Sequence, residues 1–142
     1  MKPLFSLVFL TFLPFAAQAE GPLAPQPATS VQWEALIYHQ RPVVVFADSP
    51  EDPAFLRQMA LLARDTGELA ERDVVLITDT DPATPSELRQ KLRPRGFSLV
   101  LLDKDLKPIL RKPLPWDLRE ITRAIDKFPL RRQEMLERHP GR

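Results

Sequence analysis

Apolar positions along the chain gather into a few runs whose spacing changes from one run to the next. Pro42-Val43-Val44-Val45-Phe46-Ala47 and Asp73-Val74-Val75-Leu76-Ile77-Thr78-Asp79 are nearly continuous and β-branched. Runs of this kind predict strands buried on both faces, as in a parallel sheet. Between them, Phe55, Met59 and Leu62, with Leu56, Ala60 and Ala63, recur at helical spacing. Asp52-Pro53 offers a helix cap followed by proline at the first helical position, and Gly67 is the expected stop. Buried strands joined through a helix make a right-handed βαβ unit with parallel pairing.

The second half reads differently. Thr84-Pro85-Ser86-Glu87 has the form of a capping box and predicts a short helix through Leu88 and Leu92 that ends before Pro94. Phe97 to Leu102 is a third apolar strand, Asp103-Lys104-Asp105 a turn, and Lys107 to Lys112 a returning fourth strand whose looser alternation suits an edge. Trp116 to Lys127 carries Leu118, Ile121, Thr122 and Ile125 on one face, and Pro129 stops it. Ahead of all these, Ser30 can cap a helix from Val31 to Tyr38 with Trp33, Leu36 and Ile37 inward. The order βαβ then ββα predicts an α/β, thioredoxin-like domain over residues 30–130, with a four-stranded mixed sheet flanked by helices, followed by a charged tail over 131–142.

The N-terminus adds a destination. Lys2, the apolar stretch Leu4 to Phe15 and the small-x-small triplet Ala17-Gln18-Ala19 compose a signal peptide over residues 1–19, cut before Glu20. The apolar stretch is short for a bilayer span, and no other segment is apolar enough to cross one. The expected location is periplasmic or secreted. Residues 20–29 hold Gly21, Pro22, Pro25 and Pro27 and predict a disordered, extended tether.

Composition then narrows the chemistry. The chain has no cysteine, so neither disulfides nor a thiolate nucleophile exist. A mature chain of about 120 residues must hold itself together by its core, which is enough for one domain. Lys+Arg 20 and Asp+Glu 19 become equal once Lys2 leaves with the leader. That balance argues against nucleic-acid binding and against electrostatic docking on anionic lipid.

Several stretches resemble the bacterial branch of the DUDES family, secreted thioredoxin-like domains of unknown function related to repeats in animal extracellular-matrix proteins. The most specific is Ile125-Asp126-Lys127-Phe128-Pro129-Leu130-Arg131-Arg132-Gln133-Glu134-Met135, in which Phe128 and Leu130 replace two methionines of the family pattern. Arg41 with Val43 to Ala47, Arg72-Asp73, and Phe97 to Asp105 support it. Leu106 stands where the family turn has glycine. The resemblance implies the fold and no defined activity.

Candidate chemistry is sparse. At the place of the thioredoxin thiols stands Asp48-Ser49-Pro50-Glu51-Asp52-Pro53, with Pro50 and Pro53 at the two sulfur positions, and Ser98 lies near the place of the cis-proline. Ser49 would need a histidine base, and His39 and His139 lie elsewhere in the chain. Asp48, Asp52, Asp79 and Asp81, with Glu51, fall at the C-terminal ends of the parallel strands, where α/β sheets bind ligands and where oxygen donors could hold Ca²⁺ or Mg²⁺. A cap at Asp52, a turn at Asp81-Pro82 and pairing with Arg93 and Arg95 would explain the same residues structurally. Arg131, Arg132 and Glu134, with Lys127, Arg138 and Arg142 around them, are candidates for contact with a protein or anionic partner, or else pin the tail to the domain. The sequence favours a non-catalytic interaction module, binding through the sheet edge or the basic tail and needing no cofactor. The alternative is an enzyme with a carboxylate-held metal at the C-terminal edge of the sheet.

Overall fold

The computed structural model describes residues 23–141. The leader, its cleavage site, the first residues of the tether and Arg142 lie outside the described residues.

The elements run β1 (Gln26–Pro27), α1 (Trp33–Leu36), β2 (Arg41–Phe46), α2 (Pro53–Leu62), α3 (Thr66–Glu71), β3 (Val74–Asp79), α4 (Glu87–Leu92), β4 (Ser98–Leu102), β5 (Pro108–Lys112), α5 (Leu118–Ile125) and α6 (Pro129–Arg138). They form one five-stranded sheet in the order β1-β3-β2-β4-β5. β2 pairs parallel to β3 in the register Val44↔Ile77 and antiparallel to β4 in the register Val44↔Val100, and β5 returns antiparallel on β4. Because strand side chains alternate in direction, the apolar runs split into two cores. Val43, Val45, Leu76, Leu99 and Leu101 pack with Leu62, Leu69, Ile121 and Ile125 from α2, α3 and α5. Val44, Phe46, Ile77, Val100 and Leu102 pack on the other face with Trp33, Leu36 and Leu88 from α1 and α4. Runs buried on both faces are what this helix–sheet–helix arrangement requires.

The mixed sheet flanked by helices is as expected, with one strand more than the four expected. That strand comes from the segment expected to be a disordered tether. Gln26 and Pro27 pair parallel with Ile77 and Thr78 at the edge of β3, Ala28–Ser30 forms a 3-10 turn, and Leu23 is buried in the core. Proline is tolerated there because an edge strand need pair on one side only.

Local boundaries also move. α1 is a single turn, and Ser30 Oγ donates to the Pro27 carbonyl at 2.9 Å instead of capping it. Asp52 caps α2 as expected, accepting from the Ala54 and Phe55 amides at 2.8 and 3.3 Å. Gly67 is not a stop: Asp65 caps α3 across it, accepting from Glu68 N. Ser86, not Thr84, caps α4, accepting from Arg89 N at 3.0 Å. α5 ends before Pro129 as expected, and Pro129 also starts α6, since a proline at the first helical position forgoes only an amide that has no helical partner. The domain edge at residue 130 therefore cuts through a helix. Gln58, fully buried, ties α2 to the entry of α5 by exchanging hydrogen bonds with the Trp116 main chain at 3.0 and 2.8 Å.

Candidate functional site

At the C-terminal edge of β2 and β3, the acidic residues are used locally. Asp52 is the α2 cap. Asp79, buried at the end of β3, accepts from Arg89 Nε and Nη2 at 3.0 and 2.8 Å and from the Ser86 hydroxyl. Arg89, four residues upstream of the expected Arg93, is its counter-charge, and its guanidinium also donates to the Ala47 and Asp79 carbonyls. Asp81 takes the Ala83 amide in a tight turn at 3.0 Å. Asp48 is exposed. Among the described residues no three carboxylate or imidazole groups converge as a metal site. Asp48, Asp52, Asp79 and Asp81 thus lie at one edge without forming a ligand set: a helix cap engages Asp52, Arg89 and Ser86 engage Asp79, a turn engages Asp81, and Asp48 faces solvent. Ser49 donates to Glu51 at 3.2 Å and receives the Glu51 amide at 3.1 Å. Neither of those partners is a histidine, the base with which a serine nucleophile is usually paired.

The opposite pole of the sheet carries an ion network that sequence reasoning did not assemble. Arg41 opens β2 with a fully buried side chain. It donates from Nε to Asp103 at 3.0 Å, from Nη1 to the Arg72 carbonyl at 3.0 Å, and in a two-pronged grip to Glu134 at 2.9 and 3.2 Å. Lys104 bridges Asp73 at 2.7 Å and Glu134 at 2.8 Å. Arg72 pairs with Asp126 and Glu68, both at 2.9 Å, and Arg131, also buried, pairs with Asp126 at 3.3 Å and Glu134 at 3.7 Å. Asp103 further accepts from the Leu130 amide. Burial pushes the Glu134 carboxyl up, but hydrogen bonds from Arg41 and Lys104, with their charges, more than reverse this and hold it at about 2. Burial likewise raises Asp126, and Arg72 and Arg131 bring it to a net lowered value. Every buried side-chain polar atom among the described residues finds a partner.

Two of the expected partner contacts, Arg131 and Glu134, are therefore internal and fasten α6 to the sheet, whereas Arg132 is exposed. The stretches that carry the family resemblance, around Arg41, Arg72-Asp73, Asp103-Lys104 and Asp126 to Glu134, meet in this one cluster. The sequence signal was present in those scattered charged positions, but nothing in their spacing said that they touch.

The β5 edge is an open surface of the sheet. β5 ends the sheet order, its residues are exposed or half-buried, and Ile109 is 44% exposed. Lys112 lies over the Trp116 ring at 4.7 Å, and Arg111 donates to the Leu92 carbonyl.

The sheet order, the parallel β2–β3 pair and the two-sided core define a thioredoxin-like α/β protein. The chloroplastic thioredoxin z whose crystal structure was described as defining a type-specific target recognition is similar in fold, with 20% identity, TM-score 0.55, and coverage of 74% of this chain and 94% of that one. A thioredoxin peroxidase I of Plasmodium yoelii aligns at 14% identity and TM-score 0.49 over 79% of this chain and 83% of its own. No curated protein matches the sequence. The chain belongs to the family described as a domain of unknown function, DUF4174, whose model matches residues 34–134.

Proposed function

We propose that this chain is a non-catalytic binding module that acts outside the cytoplasm and engages a partner protein along the open edge of its sheet. The observation that carries this reading is β5: an outermost strand whose residues are exposed or half-buried and include the apolar Pro108, Ile109 and Leu110, while Glu134 and Asp79 are bound internally by Arg41 and Arg89. The basic tail supports the reading less, because Arg131 and Glu134 already serve Arg41, Lys104 and Asp126. Thiol exchange requires a thiolate, and the chain has no cysteine. Export is supported by Lys2, the apolar Leu4 to Phe15 and Ala17-Gln18-Ala19. Among the described residues no helix is long and apolar enough to cross a membrane. Kinship with the bacterial DUDES branch belongs to the same proposal, supported by the residues that meet around Arg41.

The test is an edge variant. Ile109→Asp places a charge on a strand position that is 44% exposed, at a cost of about 1 kcal/mol in strand propensity. We expect it to stay folded, melting within about 8 °C of the parent protein, and to lose the partners that the parent retains from a periplasmic extract, while Arg132→Glu on α6 keeps them. Retention of the same set by Ile109→Asp, or peroxide or dithiol turnover by protein free of contaminating enzyme, would overturn the reading.

A further inference from the structure

Apolar depressions flank β5 on both faces of the sheet. On the α1–α4 face, Pro108 borders a cavity of about 410 Å³ floored by Trp33, Leu88, Leu102 and Leu106. On the α5 face, Ile109 and Leu110 border another of about 390 Å³ with Trp116, Ala124 and Phe128. Side chains of an extended segment alternate between faces. A strand added along β5 would therefore send neighbouring apolar side chains into the two depressions while its main chain pairs with the free edge.

The rim of this edge is basic. Lys107 and Lys112 stand at the ends of β5, Arg123 and Lys127 border the α5-side depression, and Lys91 borders the other. Glu120 and Glu34 are the acidic members of the two linings. Lys91 pairs with Glu87 and Lys107 with Asp105, whereas Arg123 and Lys127 enter no ion pair among the described residues. A second copy of the chain would bring its own Lys107, Arg111 and Lys112 to the same edge, and like charges facing across strands are destabilising. Resting on the edge reading above, we infer that β5 receives an extended segment of a partner protein in which adjacent apolar residues are flanked by aspartate or glutamate.

Three capped synthetic peptides test this on the full mature protein. All share a Val-Ile-Val-Leu centre, flanked by paired glutamates, paired serines or paired lysines. The glutamate peptide should bind about tenfold tighter than the serine peptide, and the lysine peptide weakest. Bound peptide should slow hydrogen exchange at the β5 amides, and high salt should narrow the gap. The double variant Arg123→Glu with Lys127→Glu should invert the order. If the serine peptide binds as tightly and still protects β5, the acidic requirement is wrong and the edge reading stands. If none of the peptides protects β5, both fall. Protection of β5 that grows with the protein's own concentration would assign the edge to a second copy and overturn the inference.

Discussion

Arg41 shows how one buried charge organises its surroundings. A guanidinium taken fully out of water costs several kcal/mol unless its donors are met by well-placed acceptors. Here Asp103 comes from the end of β4, the Arg72 carbonyl from the loop before β3, and Glu134 from α6. Glu134 is the partner farthest away in sequence, and it has a pH signature. Its folded value of about 2 lies below the ordinary 4.5, a difference worth roughly 3 kcal/mol. Because the folded state depresses the value, this contribution is complete above the unfolded value and is lost as pH falls through the folded one. Urea unfolding of Glu134→Gln against the parent protein should thus show a gap of about 3 kcal/mol near neutral pH that closes between about pH 4.5 and pH 2. A gap of constant size across that range would mean that Glu134 acts through packing, not charge.

Among the elements, those with strong periodicity were readable and those defined by a single turn were not. β2, β3 and β4 could be read because strands buried on both faces need continuous apolar runs, and α5 because its apolar residues recur at helical spacing. The pairing of Gln26–Pro27 could not, since a two-residue edge strand has no repeat to read, and proline density points the other way. The α4 boundary slipped because Thr84 and Ser86 both offer a capping oxygen, and burial of Ser86 against Asp79 decides between them. Of the candidate site, single residues were legible but their contacts were not. Arg131 and Glu134 stand out in the charged tail, while Arg41 and Lys104 reach Glu134 only through the fold. The β4–β5 turn is the converse case, where sequence pointed to a special position. Leu106 stands where a glycine was expected and adopts φ +62°, in the left-handed region. That conformation costs an L-residue roughly 1–2 kcal/mol, comparable with what a half-buried leucine regains by covering apolar surface. Leu106→Gly should therefore change stability by no more than about 1 kcal/mol, whereas Leu106→Ala loses the side chain and keeps the strain. Denaturant titration should rank glycine above alanine at this site, the reverse of their order in a helix. Alanine ranking above glycine would mean that the turn relaxes out of the left-handed region.

At the scale of the whole molecule, α6 is not an appendage. It closes the pole of the sheet at which β2 begins, bringing Glu134 to Arg41 and Lys104 and bringing Arg131 to Asp126. A chain ending at Phe128 would keep every strand of the sheet but lose Glu134, one of the two carboxylates paired with Arg41. Breaking a buried pair in this way costs about 3–5 kcal/mol, a large share of the roughly 5–15 kcal/mol that holds a domain folded. Thermal denaturation of the truncated chain should show a midpoint lower by on the order of 10 °C or more. Truncation therefore cannot by itself separate a binding role of α6 from a folding role, because loss of partners would follow from either. Arg41→Met separates them. An apolar side chain of similar length removes the stranded charge, and such replacements are often neutral. In the truncated chain Arg41→Met should restore most of the lost stability. Should it restore none, the cost lies in the apolar contacts of α6 and not in the ion network, and the assignment of Arg131 and Glu134 to holding the fold through charge would fail.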